Sequence, residues 1–163
     1  MASGNTLCVF GALDNTPPTS NNAAFAYRNG HPVLAFDTTT GESAVFTGIM
    51  PRHYAGGGVT VYLHWTAASA TTGTIGWTAA FERMSDATTD LDSDSFATAQ
   101  TITAATVSGT TGVITVTNVA ISNGANMDSV AAGEAFRLKI ARDVASDDAA
   151  GDAELHLIEI KET

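Results

Sequence analysis

The strict alternation in Val59–Thr66 constrains the fold more than any other feature of the chain. Val59, Val61, Leu63 and Trp65 alternate with Thr60, Tyr62, His64 and Thr66. A side-chain period of two belongs to a strand with one buried and one wet face, and a helix cannot present it. After the connector ASATTGT the same period returns, with Ile75, Trp77, Ala79 and Phe81 alternating with Gly76, Thr78, Ala80 and Glu82. The two segments are natural antiparallel partners. Trp65 and Trp77 fall in phase with the apolar positions, which assigns both indoles to a core.

Six more β-rich runs follow the same grammar of short strands and turn-rich connectors. They are Pro32–Asp37, Ser43–Met50, Ala97–Val107, Val113–Ile121, Phe136–Ala141 and Ala153–Lys161. In Phe136–Ala141 the residues Phe136, Leu138 and Ile140 alternate with Arg137, Lys139 and Ala141. In the last run Leu155 and Leu157 share one face, and His156, Ile158 and Ile160 the other, so that strand is expected to be covered on both sides. Eight strands with no helix long enough for a βαβ unit predict an all-β antiparallel sandwich, of jelly-roll type first and immunoglobulin-like second.

Residues 1–30 read differently. DNTPPTSNN, from Asp14 to Asn22, favours extended and solvated backbone, so 1–30 is expected to form an N-terminal arm and 31–163 the sandwich domain. The arm carries apolar residues that need burial, either on the same domain or on another chain: Leu7, Val9, Phe10, Phe25 and Tyr27. The start has no basic n-region or uninterrupted apolar stretch of an export signal, and no window reaches the apolar length of a membrane span. A soluble protein with no membrane partner is expected.

Seventeen acidic residues against seven basic ones give a net charge of −10, which opposes any broad phosphate-binding face and excludes nucleic acid as the expected partner. Much of that charge falls in two loops, Asp86–Asp94 and Asp143–Asp152. Only 15% of residues are charged, so the strands between those loops present a neutral, Thr-rich surface suited to contact with neighbouring copies.

No local signature of catalysis is present, and neither an enzyme nor a cofactor is expected. His31, His53, His64 and His156 lack the tight spacing of a zinc motif and read as surface or satisfied histidines. Cys8 has no adjacent cation or histidine to activate it and reads as an inert thiol. Asp90, Asp92 and Asp94 resemble the start of a calcium loop. However, the sixth position is Ser95 rather than Gly, and the twelfth is Thr101 rather than Glu, so a solvated loop is preferred there. Asp143, Asp147, Asp148 and Asp152 are assigned in the same way. Tyr62, pointing opposite to Trp65, and Tyr54, in a loop, are the candidates for an exposed sugar-stacking ring.

The order AVFTGIMP, a Gly-rich loop, VTVYLHWTA, GTIGWTAAFERM and EAFRLKIARDVASDDAAGDAELHLIEI resembles small jelly-roll virion proteins of tailed bacteriophages, over about residues 33 to 160. The resemblance implies a non-enzymatic structural protein that decorates or cements the capsid surface, made in the host cytoplasm. Its expected partners are the major capsid protein or other virion proteins and sister subunits in a trimer, with the arm as fastener. The alternative from another class is a carbohydrate- or receptor-binding sandwich of a head fibre or tail appendage. No functional residue is carried over, because the quoted motifs are strand and turn patterns.

Overall fold

The computed structural model describes residues 4–163. Ten strands form two antiparallel sheets. The strands are β1 (Thr6–Gly11), β2 (Ala24–Arg28), β3 (His31–Phe36), β4 (Ser43–Ile49) and β5 (Val59–Ala67), followed by β6 (Thr74–Met84), β7 (Gln100–Thr106), β8 (Thr115–Ile121), β9 (Ala135–Arg142) and β10 (Ala153–Glu162). One sheet has the order β2-β3-β10-β5-β8, with β1 also paired to β10, and the other is β4-β9-β6-β7. From β3 onward the chain passes back and forth between the sheets at every step but the β6–β7 hairpin, which makes the sandwich a jelly roll. All eight strands expected from the sequence are present, and the immunoglobulin-like order is not.

The alternating residues meet between the sheets. Val59, Val61, Leu63 and Trp65 of β5 face Ile75, Trp77, Ala79 and Phe81 of β6 across a core in which all are fully buried. Phe36 packs edge-on to Trp77 at 5.0 Å between ring centroids, and Phe81 lies 5.5 Å from Phe136. The Trp65 indole N–H donates to the Thr117 hydroxyl at 3.0 Å, so one of the two buried indoles has its polar atom satisfied. Tyr54 is buried rather than displayed. Its hydroxyl accepts the Gly58 N–H at 2.9 Å beneath the loop that precedes β5.

The described part of the segment expected to be an arm belongs to the sandwich; its first three residues lie outside the described part. Strand β1 pairs with β10 from Thr6↔Lys161 to Gly11↔Leu157, and Phe10 enters the core against Phe46 and Phe136. Strand β2 forms a hairpin with β3 through Asn29-Gly30, whose φ values of 46° and 79° give a turn with two left-handed residues. Between them the Pro-containing stretch runs along the outer edge of β4. There Thr16 N–H donates to Val45 O at 2.7 Å and Ala23 N–H to Ser43 O at 3.0 Å. An edge that would otherwise offer unpaired backbone groups is thereby covered.

The alternation of β10 is interrupted. Its pairing with β5 shifts between Leu155↔Trp65 and Leu157↔His64, a β-bulge. Leu155, Ile158 and Ile160 therefore point into the core, while both His156 and Leu157 emerge on the outer face. The expected division of this strand, Leu155 with Leu157 against His156 with Ile158, is corrected by that one extra residue.

The second acidic loop is also more than a solvated connector. Arg142 continues the inward phase of Phe136, Leu138 and Ile140 and is buried at the end of the core. It donates to both Asp147 carboxylate oxygens, at 2.6 and 2.9 Å, and to the carbonyls of Phe36, Gly151 and Ala149. Asp148 caps β6 by accepting from Thr74 N–H at 2.6 Å and from the Thr74 hydroxyl. No helix among the described residues is long and apolar enough to cross a membrane.

Candidate functional site

The outer face of the β2-β3-β10-β5-β8 sheet carries a groove of about 430 Å³ whose floor is made by outward positions of four strands. The Asn29-Gly30 turn sets Arg28 and His31 directly opposite each other at the end of the β2–β3 hairpin. The β10 bulge supplies His156 and Leu157, and the wet phase of β5 supplies His64, paired with Leu157 on one side and Val116 of β8 on the other. Arg28, His31, His156, Leu157, His64 and Val116 therefore form a row across five strands. At about 4.8 Å per strand spacing the row is roughly 19 Å long. Gly112 and Ile114, in the connection before β8, form the wall.

The rings are close. His31 and His156 lie 5.6 Å apart between centroids, with planes tilted by 58°. Arg28 is fixed along one side, where Nη1 donates to Glu154 Oε2 at 2.8 Å and to the Ala68 carbonyl at 3.2 Å. The Nε and Nη2 edge faces Gly112, where a Cβ would stand 2.9 Å from Nε and 3.0 Å from Nη2. Gly112 has φ +82°, so glycine is needed here for the backbone as well as for the space. Burial, and then the neighbouring His31, hold the His156 imidazole below its ordinary value of 6.5, with Glu154 acting in the opposite direction.

Three of the four histidines are brought together, and His53 is left exposed in a separate loop. Their positions in sequence hid this, because His31, His64 and His156 are brought together only by the sheet order β3-β10-β5. The available signal was phase: His64 alternates with core residues of β5 and so had to lie on the opposite face. Tyr62 lies on that face two residues from His64 and is half-buried.

The other candidates are dispersed. Asp90 accepts from Asp92 N–H at 3.1 Å and Asp94 from Ser95 N–H at 2.9 Å, so these carboxylates are engaged in local turns. No group of three or more His, Cys, Asp or Glu among the described residues is arranged to hold a metal ion. Of the residues expected to bind a partner, Phe10 is in the core and Leu7 packs beside it. Val9, Phe25 and Tyr27 are exposed, and the last two rings touch edge to face at 5.1 Å with planes 86° apart. That angle gives no shared flat platform. Cys8 is partly buried, and burial pushes its thiol up from the ordinary value, the direction of an unreactive cysteine.

No carboxylate is among the residues that line the groove, so the paired acid and base of glycoside hydrolysis have no counterpart in its lining. What the groove offers is a mixed surface: aliphatic Leu157 and Ile114, three imidazoles, and Arg28 and Asn29. Such a lining suits a ligand that is apolar on its faces and hydroxylated at its edges.

At the level of sequence, no family model and no curated protein matches the chain. The fold does have relatives among solved structures. The carbohydrate-binding module of Cellvibrio mixtus lichenase 5A, solved in complex with cellotriose, superposes with a TM-score of 0.54 at 12% identity, covering 98% of this chain and 99% of that one. A xylan-binding domain from Paenibacillus barcinonensis gives 0.50 at 10% identity, with 92% of each chain covered. The exo-β-1,3-galactanase of Phanerochaete chrysosporium, solved with galactose, gives 0.55 at 15% identity; 98% of this chain is covered but only 30% of that enzyme. These likenesses establish the β-sandwich fold that the chain shares with carbohydrate-binding modules.

Proposed function

We propose that the protein is a non-catalytic carbohydrate-binding β-sandwich and that the groove over β2, β3, β10 and β5 takes the glycan. The observation that carries this reading is the row of Arg28, His31, His156, Leu157 and His64 across an otherwise open sheet face. A saccharide presents patches of C–H and a rim of hydroxyls. Imidazole faces and the Leu157 and Ile114 side chains would cover the former, and Asn29, Arg28 and the ring nitrogens would exchange hydrogen bonds with the latter. Fold similarity to carbohydrate-binding modules supports the reading without assigning the sugar.

If the resemblance to phage virion proteins holds, such a module would belong to a head fibre or tail appendage and act there as a receptor-binding sandwich. For a capsid-cementing role the expected arm would offer Val9, Phe25 and Tyr27, because β1 is bonded to β10 and Phe10 is committed to the core. The test is a glycan array probed with the full chain and with a His64→Ala/His156→Ala double variant. Binding is expected for the first and lost in the second. An array without signal for the full chain would overturn the proposal.

A further inference from the structure

Strand β2 is the open end of its sheet. It pairs with β3 alone, and among the described residues no backbone hydrogen bond reaches its other side. The two-residue Asn29-Gly30 turn decides which groups are left free. Arg28 and His31 close that turn as a hydrogen-bonded pair, so Ala24, Ala26 and Arg28 bond to β3, while the N–H and C=O of Phe25 and Tyr27 point outward. The outer edge of β4 is covered by residues 16–23, but β2 has no such cover and none of the usual guards. No proline, lysine or bulge lies in Ala24–Arg28, and its one cation, Arg28, is engaged by Glu154 and the Ala68 carbonyl. Phe25 and Tyr27 are 46% and 67% exposed.

The strand is also complementary to itself. An antiparallel pair centred on Ala26 sets Ala26 against Ala26 of a second copy, and Phe25 of each copy against Tyr27 of the other. The free groups then fall in register: Phe25 and Tyr27 form the hydrogen-bonded pairs, and Ala26 forms the close non-hydrogen-bonded pair, where its small side chain fits. Phe25 and Tyr27 already touch edge to face at 5.1 Å within one copy, and the pairing adds a Phe–Tyr contact directly across the strands on each side of the axis. Charge permits the approach at this place. Each copy carries a net −10, yet no residue from 15 to 27 is charged, so two like-charged molecules can meet along this strip.

We propose that β2 pairs with β2 of a second copy about a two-fold axis at Ala26, giving a homodimer with one continuous sheet. The axis is normal to the sheet, so both grooves open on the same face, roughly 24 Å apart from β10 to β10. With ring areas of about 200 Å², the exposed parts of the four rings bring roughly 450 Å² to the interface. Even with the strand edges added, this falls below the ~1,200 Å² of a standard interface, so the dimer is weak and reversible.

The experiment is sedimentation equilibrium of the full chain from about 5 µM to about 1 mM, in which the mass should rise from one chain toward two with a midpoint on the order of 100 µM. A mass of one chain throughout would overturn the proposal, and convergence on three chains would overturn the two-fold pairing. Tyr27→Lys should raise the midpoint by about fivefold or more, because symmetry loses both cross-strand aromatic pairs at once and the edge gains a charge. Tyr27→Pro, which removes the free edge N–H and the ring but no bond to β3, should do the same. Both variants should keep the wild-type far-ultraviolet circular dichroism. Leu91→Lys, in a loop away from β2, should leave the midpoint unchanged. Amide hydrogen exchange on the unaltered chain supplies a reading that needs no variant. The Phe25 and Tyr27 amides should slow as concentration rises, while the Ala26 amide, already bonded to β3, changes little. A dimer in which the Phe25 and Tyr27 amides stay fast would put the interface elsewhere and refute the assignment.

Discussion

Replacing Asp147 with alanine probes an ion pair whose side chains are both buried. The side chains of Arg142 and Asp147 are 0% and 1% exposed, and the carboxylate takes two of the guanidinium's hydrogen bonds at 2.6 and 2.9 Å. Removing it leaves an uncompensated cation at the end of the core. Breaking such a pair from one side costs about 3–5 kcal/mol. For a chain of this length each kcal/mol moves the melting temperature by about 2–4 °C, so the expected fall is about 6–20 °C. Differential scanning calorimetry at neutral pH measures it, and a urea titration with an unchanged slope would confirm that the loss is in stability rather than in compactness.

A second variant separates the ion pair from the rest of the network. An apolar Arg142→Met/Asp147→Leu replacement of a simple buried pair is often neutral. Here Arg142 also serves the carbonyls of Phe36 at 3.0 Å, Gly151 at 2.8 Å and Ala149 at 3.1 Å. Each buried carbonyl left without a donor costs about 1–3 kcal/mol, so the double variant should not recover the wild-type melt. A loss below about 1 kcal/mol for Asp147→Ala, within the range of an exposed pair, would refute the closed network. So would full recovery in the double variant, because it would mean that water already satisfies those carbonyls.

Thr117→Val strips the Trp65 indole N–H of its acceptor inside the core and should cost about 1–3 kcal/mol by thermal melting, with little change in fluorescence-detected ligand binding. Gly58→Ala places a Cβ 2.7 Å from the Ile121 carbonyl at a φ of +103° and should destabilise the chain by at least about 1–2 kcal/mol, because backbone rather than a flexible side chain must move. Asp37 is held down to about 2 by hydrogen bonds from Thr39 and Thr40, so the contribution of this turn is complete above the ordinary 3.8 and is lost as the pH falls toward 2; carboxyl and Thr39 amide NMR shifts should titrate together there. His156 acts in the same direction at higher pH. Its folded value lies below 6.5, so the ligand-free protein should lose stability as the pH drops below that point, and His156→Asn should flatten the dependence in pH-resolved melts.

Period-two patterning is reliable where one face of a strand is buried, and β5, β6 and β9 illustrate it: their inward residues are the core, residue for residue. It fails in β10 because a bulge is a backbone event without a side-chain signature; His156-Leu157 reads the same in sequence whether the strand is regular or bulged. Other features were available but carried competing meanings. Asn29-Gly30 is a strong hairpin signal. Its position after a Pro-rich, Asn-rich stretch favoured an arm boundary at residue 30, although the turn in fact joins two strands. Arg142 falls in the inward phase of β9, and the acidic loop after it holds the counter-ion, but an arginine at a strand end is ordinarily exposed and phase alone could not overrule that prior.

The groove depends on the features that sequence expresses least well. His64 could be assigned to a wet face from its neighbours alone, but His31 needs the Asn29-Gly30 turn to stand beside Arg28. His156 needs the bulge to share its face with Leu157. The sheet order then places β10 between β3 and β5 and closes the row. A variant that removes the bulge while keeping the composition, deletion of Leu157, should therefore separate fold from site. With Leu157 removed, Leu155, Ile158 and Ile160 stay in phase along a regular strand, so the core is retained, while the groove loses the Leu157 side chain and His156 moves into register with His64. The expected outcome is a cooperative melt with weakened glycan binding. A melt that loses cooperativity would mean that the bulge stabilises the β1–β10 and β5–β10 registers themselves, and that the groove is a consequence of sheet closure rather than a feature added to it.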